Sequence, residues 1–400
     1  RPKGTFESAI GTVNGIGGPL MMKMQQIKLG EAATFVNGYA FKPNQWKTHG
    51  KEIIRIQNLT NSSTAVNYFD GVLPDKYKVT KGDLLISWSA TLGVFEWKKD
   101  DAWLNQHIFK VIFDKYEFEK RFFYYLISYS LNQLEKEVHG STMKHITKKR
   151  FDNIIIPLPP LETQKKIAAK LDKANELRQN DKKILEKYDQ LAQSVFLEMF
   201  GDLVNNQMGW PLEKFGSIFR SLKYGVSTPP IYSTNGTPFI RATNIKGGGI
   251  TKNGMVYISN IEASKIEKCR LDEGDLIIVR SGANTGDCSR IPKEYQDAYG
   301  GFDIIIKIDE PYSTFYNFLL NTKSGKAVLA PLTRRAGQPH LNSKQITALE
   351  VIAPPTDMQL RFKELLENIE IQKSITLKSL QKSEELFQSL LQRAFKGELG

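Results

Sequence analysis

Two stretches of this chain carry apolar residues at alternating three- and four-residue intervals. In the first, Ile167, Leu171 and Ala174 are followed by Ile184, Tyr188, Leu191 and Val195; in the second, Phe362, Leu366 and Ile369 are followed by Leu386, Leu390 and Ala394. The stripe is narrow and the other faces are rich in Lys and Glu, which is the pattern of coiled-coil packing. Helices over 161–200 and 356–396 are predicted, each about 60 Å long at 1.5 Å per residue. Polar on three sides, such helices need a partner. Because the first leads out of one globular segment and the second returns from the next, antiparallel pairing within the chain is the expected arrangement.

The rest of the pattern has a shorter period. Runs of β-branched and aromatic residues bounded by Gly, Asn and Pro read as strands, most clearly LLISW at 84–88 and LIIVR at 276–280. Two stretches, 118–134 and 312–322, are too dense in aromatic residues for a solvated helix and are expected to pack on a sheet. The fold class predicted is mixed α/β (α+β), with two globular domains joined by the two long antiparallel helices.

The chain repeats itself. Pro159 and Pro160 correspond to Pro354 and Pro355, Ile167 to Phe362, Ser194 to Ser389 and Phe200 to Phe395, at a constant offset of 195. Within the globular parts Gly30 matches Gly216, Arg55 matches Arg241, Asn58 matches Asn244, and Gly82-Asp83 matches Gly274-Asp275. The organisation read from this is residues 25–157 as domain 1, 158–205 as the first helix, 206–353 as domain 2 and 354–400 as the second helix. Residues 1–24, rich in Gly and without periodicity, are read as a disordered leader or appended segment. Pro157, Pro159 and Pro160 are expected to stop the strand ladder and, like Pro354 and Pro355, to set a stiff corner before each helix.

Composition narrows the use of this frame. A hydrophobic fraction of 40% with 22 Phe and 15 Tyr excludes wholesale disorder. The net charge of +12 favours an anionic partner, nucleic acid being the commonest large one. The segments 161–200 and 356–400 are nearly neutral, with eight and seven cations against seven anions each, so eleven of the twelve surplus charges lie elsewhere. Two basic heads on a neutral rod suit an extended polyanion, with counterion release and bivalency both adding to affinity. Cys269 and Cys288 form no CxxC pair, and no apolar run is long enough to span a membrane; a cytoplasmic protein with no membrane partner is expected.

Two loops ahead of the Pro corners combine a Gly turn, cations and a His. HGSTMKHITKKRF contributes Lys144, His145, Lys148 and Lys149; LTRRAGQPHLNSKQ contributes Arg334, Arg335, Gln338 and His340. Such side chains can meet phosphates or base edges; the bland alternative is a solvated basic loop. Two readers of different sequences should differ where they read, so Lys47, Lys98, Lys223, Tyr224, Lys246, Lys252 and Asn284, in unmatched segments, join the candidates. Arg55 and Arg241, at matched positions, read either as reading residues at the end of a strand or as anchors for a core-edge carboxylate such as Asp83 or Asp275, the structural use being favoured. The Gly runs at 247–249 and 281–286 complete neither nucleotide-binding fingerprint and read as turns. No catalytic or metal motif is evident, and no cofactor is assigned to this chain.

The junctions PLPPLETQKKIAAKL and IAPPTDMQLRFKELL, the duplicated helices, GSTMKHI, and the strand openings GDLLIS and GDLIIV together resemble the specificity subunit of type I DNA restriction–modification enzymes over residues 25–400. RRAGQPHLN departs from the first loop's pattern, so contacts carried over from that loop do not transfer to it. The resemblance implies a non-catalytic reader of a split double-stranded DNA target, each domain taking one half. It further implies helices on which two methyltransferase (modification) subunits dock, and restriction subunits that join them. S-adenosylmethionine, ATP and Mg would belong to those partners, which methylate adenine and cut unmodified DNA. A protein-binding coiled-coil scaffold would leave the basic heads idle, and a nonspecific nucleic-acid-binding protein would be indifferent to domain order.

Overall fold

A computed structural model describes residues 25–60, 65–137, 146–333 and 339–399. The chain divides into two compact units, one formed by residues up to Lys182 together with those from Lys378 onward, the other by Lys183–Leu377. Each long helix therefore contributes one part to each unit.

In the first unit, strand Gln25–Lys28 pairs antiparallel with Ile155–Leu158 and clasps the two ends of the globular segment. Between them an antiparallel sheet runs in the order Thr34–Asn37, Ile108–Ile112, Leu84–Ser87, Gly93–Glu96. A second sheet has the order Asn67–Phe69, Lys51–Ile54, Ala102–Leu104, Lys78–Val79, with Lys51–Ile54 parallel to Ala102–Leu104. The aromatic stretch forms the helix Lys120–Glu137, whose Phe122, Phe123, Leu126 and Ile127 are buried with Ile86 and Phe109 of the first sheet.

The second unit repeats this plan. Leu212–Lys214 and Glu350–Ile352 make the clasp; the antiparallel sheet is Ser221–Tyr224, Ile304–Lys307, Leu276–Ile278, Cys288–Arg290. The other sheet is Tyr232–Ser233, Val256–Ile258, Thr237–Ile240, Tyr299–Gly300, again with one parallel pair, Thr237–Ile240 beside Tyr299–Gly300. Helix Tyr312–Asn321 packs Phe315, Tyr316, Leu319 and Leu320 into the core with Ile278 and Ile304. A hairpin, Ile245–Lys246 with Gly249–Ile250, turns through Gly247 and Gly248, so that Gly run is a turn.

The long helices span Leu161–Phe200 and Thr356–Phe395 and pair antiparallel within each unit. In the first unit Arg178 meets Glu384 at 3.1 Å, and Asp181 accepts from Ser383 at 3.0 Å and Ser379 at 3.2 Å. In the second Lys373 meets Asp189 at 2.9 Å, and Phe362 lies 5.3 Å from Phe196 and 5.6 Å from Phe200, ring to ring. Ile167, Leu171, Ala174, Phe362, Ile369 and Ala394 are buried in these seams, and Tyr188, Val195, Leu366 and Leu390 are half-buried. Ile184, Leu191 and Leu386 are not: they are 40%, 46% and 46% exposed, a correction to the expected stripe. Ala192, Phe196, Phe387 and Leu391 are buried in their place. At about 100° per residue eleven residues make close to three turns, so the face through Phe196 recurs at Leu185 rather than Ile184. Leu386, eight residues before Ala394, lies about 80° round the helix from it.

The Pro corners need a second correction. Pro157 lies inside strand Ile155–Leu158, opposite Gln26. In a two-stranded pair each strand has an open edge, where a missing N–H costs nothing. The corners themselves are closed by a residue that attracted no notice in the sequence. Buried Gln164 donates its side-chain amide to the Pro159 carbonyl at 2.9 Å, and buried Gln359, 195 positions on, donates to Pro354 at 2.8 Å.

Candidate nucleic-acid interface

The first sheet of each unit ends in a matched frame. Gly38 donates its amide to Ile108 at 3.2 Å in the first unit, as Gly225 does to Asp303 at 2.9 Å in the second. Asn105 donates to Ile54 at 3.3 Å, as Gly301 does to Ile240 at 2.8 Å, and Ile146 donates to Trp88 at 3.0 Å, as Leu341 does to Arg280 at 2.8 Å. Glycine is required where the chains cross: a Cβ on Gly38 would stand 2.1 Å from the Asn105 carbonyl oxygen, and one on Gly225 1.6 Å from that of Gly301. The same backbone hydrogen bonds therefore bring four matched positions together in each unit, with Asn37 matching Tyr224, Trp88 matching Arg280, His107 matching Phe302 and Ile146 matching Leu341.

The side chains at three of these positions differ in chemistry. In the second unit the Arg280 guanidinium lies 4.2 Å from the Tyr224 ring centre and 4.3 Å from that of Phe302. Stacking of this kind suits the planar, weakly hydrated guanidinium. Arg280 Nη2 is 3.1 Å from His340 Nε2. Arginine only donates, so that ring nitrogen accepts and a neutral His340 carries its proton on Nδ1. Tyr224 accepts at its hydroxyl from the Ser343 amide at 2.7 Å, and Ser281 and Thr285 donate to the Pro339 carbonyl at 3.4 Å each, tying loop 281–286 to the His340 segment. Beneath them buried Asp303 accepts from the Arg280 amide at 3.2 Å, and burial pushes its carboxyl up to about 6. In the first unit the corresponding group is Trp88, stacked 5.8 Å from Phe109 and tilted against His107 at 5.4 Å, with its Nε1 donating to Asn37 Oδ1 at 3.4 Å.

Of the residues expected to touch nucleic acid, Tyr224 and His340 thus meet at one place, and Asn284 lies in the loop 281–286 beside it. Lys144, His145, Arg334, Arg335 and Gln338 lie outside the described residues. Lys148 is paired with Asp152 and rests over Phe35 and Phe109 at 5.6 and 5.7 Å, and Lys252 meets Glu294 at 3.3 Å. Lys223 donates to the Arg270 carbonyl at 3.4 Å. Lys47, whose backbone pairs with Tyr68, and Lys98, Lys149 and Lys246 are exposed. Neither Arg55 nor Arg241 anchors the carboxylate expected of it: Arg55 lies 4.8 Å from the Trp46 ring and Arg241 5.5 Å from Tyr232. Asp83 instead caps the Thr80 amide at 2.8 Å, and Asp275 meets Lys307 at 2.5 Å and caps the Asp272 amide at 2.8 Å. Trp88, Arg280 and Phe302 are not among the residues expected from the sequence: they are changed residues inside matched segments, which the rule of looking to unmatched segments does not reach.

Among the described residues no cluster of His, Cys, Asp and Glu could hold a metal ion, and no helix is long and apolar enough to cross a membrane. Cys288 is buried, its thiol pushed up to about 12 by desolvation, which makes it inert as a nucleophile.

A pair of similar units, each clasped at its base and continued into a shared pair of long helices, is a fold with known relatives. The family described as "Type I restriction modification DNA specificity domain" matches residues 21–187 and 216–387, and the chain belongs to it. It is a specificity subunit of a type I restriction–modification system with two target-recognition domains. It is similar to the type I restriction enzyme EcoBI specificity subunit of Escherichia coli, 25% identical over 412 residues that cover 94% of this chain and 86% of that one. In fold it is similar to the crystal structure of a type I restriction–modification S subunit from M. genitalium, with a TM-score of 0.55 at 16% identity over 94% of this chain and 97% of that. A chain from a structure on complex assembly and conformational transition of the type I system gives a TM-score of 0.57 at 16% identity, covering 95% of this chain and 99% of that.

Proposed function

We propose that the chain reads a split double-stranded DNA target, one half with each unit, from the sheet ends where Trp88 and Arg280 lie. The observation that carries this reading is the repeated frame: the same backbone hydrogen bonds present Asn37, Trp88 and His107 in one unit and Tyr224, Arg280 and Phe302 in the other. One scaffold with two sets of tips is what two different half-sites require. The chain supplies recognition and no catalysis, and works in the cytoplasm in a complex with two modification subunits and restriction subunits. S-adenosylmethionine, ATP and Mg act in those partners, and the target adenine is flipped out of the duplex by the modification subunit.

The two long helices run through both units, so their length sets the number of unread base pairs between the half-sites. Insertion of eleven residues after Lys182 and after Leu377 keeps each apolar stripe in phase. Single-molecule methylation sequencing of cells carrying the complex with that insertion should show the same two half-sites across a longer gap. An unchanged gap would rule out this role for the helices.

A further inference from the structure

Arg280 is held as an exposed lysine is not. Two aromatic rings lie against its guanidinium, at 4.2 and 4.3 Å, His340 accepts a hydrogen bond from Nη2, and among the described residues no acceptor meets its buried Nε. Its backbone is fixed as well, by Asp303 on its amide and Leu341 on its carbonyl. Phe302 is 46% exposed even though it stacks on the guanidinium, so a large aromatic surface is left open to hold one cation in place. A contact to phosphate gains little from such fixing, because a flexible ammonium serves as a point charge. A contact to a base gains much, since a fork held in place by neighbouring rings presents its hydrogen-bonding edge in a fixed direction, and such an edge matches the O6 and N7 acceptors of guanine in the major groove.

The comparison between units decides between the two. Phosphates are the same in both halves of any target, so a backbone contact at this place would be wanted in both units. The matched residue in the first unit is Trp88, which has no charge and donates instead to Asn37. A position whose charge disappears between two otherwise matched frames is one that reads sequence.

We infer that Arg280, held against Tyr224 and Phe302 and steadied by His340, is a specificity-determining residue that reads a guanine in the half-site taken by the second unit. The inference rests on the proposed reading of a split target, and it assigns a base class to one place in it.

The test uses the assembled methyltransferase complex and duplexes carrying its methylated motif. Each guanine of the half-site assigned to the second unit is replaced in turn by 7-deazaguanine, which lacks the N7 acceptor. One replacement is expected to weaken binding by about tenfold, within the range for a bidentate base contact. Arg280→Met, which keeps the unbranched stem and removes every donor, should abolish the penalty at that guanine alone, leaving the other half-site and the salt slope unchanged. Phe302→Leu, which keeps Arg280 and removes one of the rings against it, should reduce the same penalty. The inference is overturned if no guanine in that half-site responds, if the penalty persists in Arg280→Met, or if Arg280→Met weakens all duplexes alike with a shallower salt slope, the mark of a phosphate contact. A wild-type complex with no split motif would sink the underlying reading instead, so the two failures are distinguishable.

Discussion

Asp303 holds the Arg280 amide beneath the candidate site of the second unit, and its burial has a thermodynamic cost. With its folded value pushed from 3.8 to about 6, the folded chain between about pH 4 and pH 6 keeps a proton that the unfolded chain has lost. Stability therefore falls as pH rises through that window. Asp303→Asn keeps an oxygen for the Arg280 amide and removes the buried charge. It should raise stability at pH 7 by about 1–3 kcal/mol and leave it nearly unchanged at about pH 3.5, read by denaturant melts at both values. A gain of the same size at both would show that the carboxylate is not desolvated. Gly225→Ala acts on the same frame through sterics, since its Cβ would overlap the Gly301 carbonyl 1.6 Å away. A cost of about 3 kcal/mol or more is expected, visible as a lowered melting midpoint. Such close approaches were not legible in the sequence, where Gly38 and Gly225 look like any other turn glycine.

The long helices were legible as elements, while their phase was not. Narrow apolar spacing and flanking charge identify a helix whatever its register, but the seam follows whichever face the partner offers. The polar stretch between Ala174 and Ile184 interrupts the apolar spacing, so the stripe beyond it is displaced by one residue, and spacing alone does not distinguish Leu386 from Phe387. The correction is testable by paired truncations. Phe387→Ala should cost about 3–5 kcal/mol, because its ring is buried between Arg178 and Tyr125, whereas Leu386→Ala should change stability by no more than about 0.5 kcal/mol. Equal effects from the two would restore the original stripe. The strands LLISW and LIIVR were equally plain, since a β-branched run between a Gly-Asp turn and a loop has few other uses. Which strand lies beside which was not, because pairing over seventy or more residues leaves no local trace. The candidate site fared worse for the same reason: Tyr224, Arg280 and His340 are 56 and 60 positions apart in succession, and only the folded sheet puts them side by side.

At the scale of the whole molecule the duplication is the deepest signal, and it was available from the sequence. The Pro corners, their buried glutamines and the sheet-end hydrogen bonds all recur, so one scaffold is present twice with different tips. Divergence at matched places, rather than charge alone, separates a reader of two half-sites from a scaffold or a nonspecific binder, since neither of those needs its two halves to differ. The basic surplus outside the helices suits the phosphates that both halves of such a target share. The most direct measurement is single-molecule methylation sequencing of cells in which residues 206–353 are replaced by the corresponding domain of another family member, beside cells carrying the original chain. A split, adenine-methylated motif in which one half-site changes and the other is retained is the predicted result. A continuous motif, or a change in both halves at once, would contradict the account.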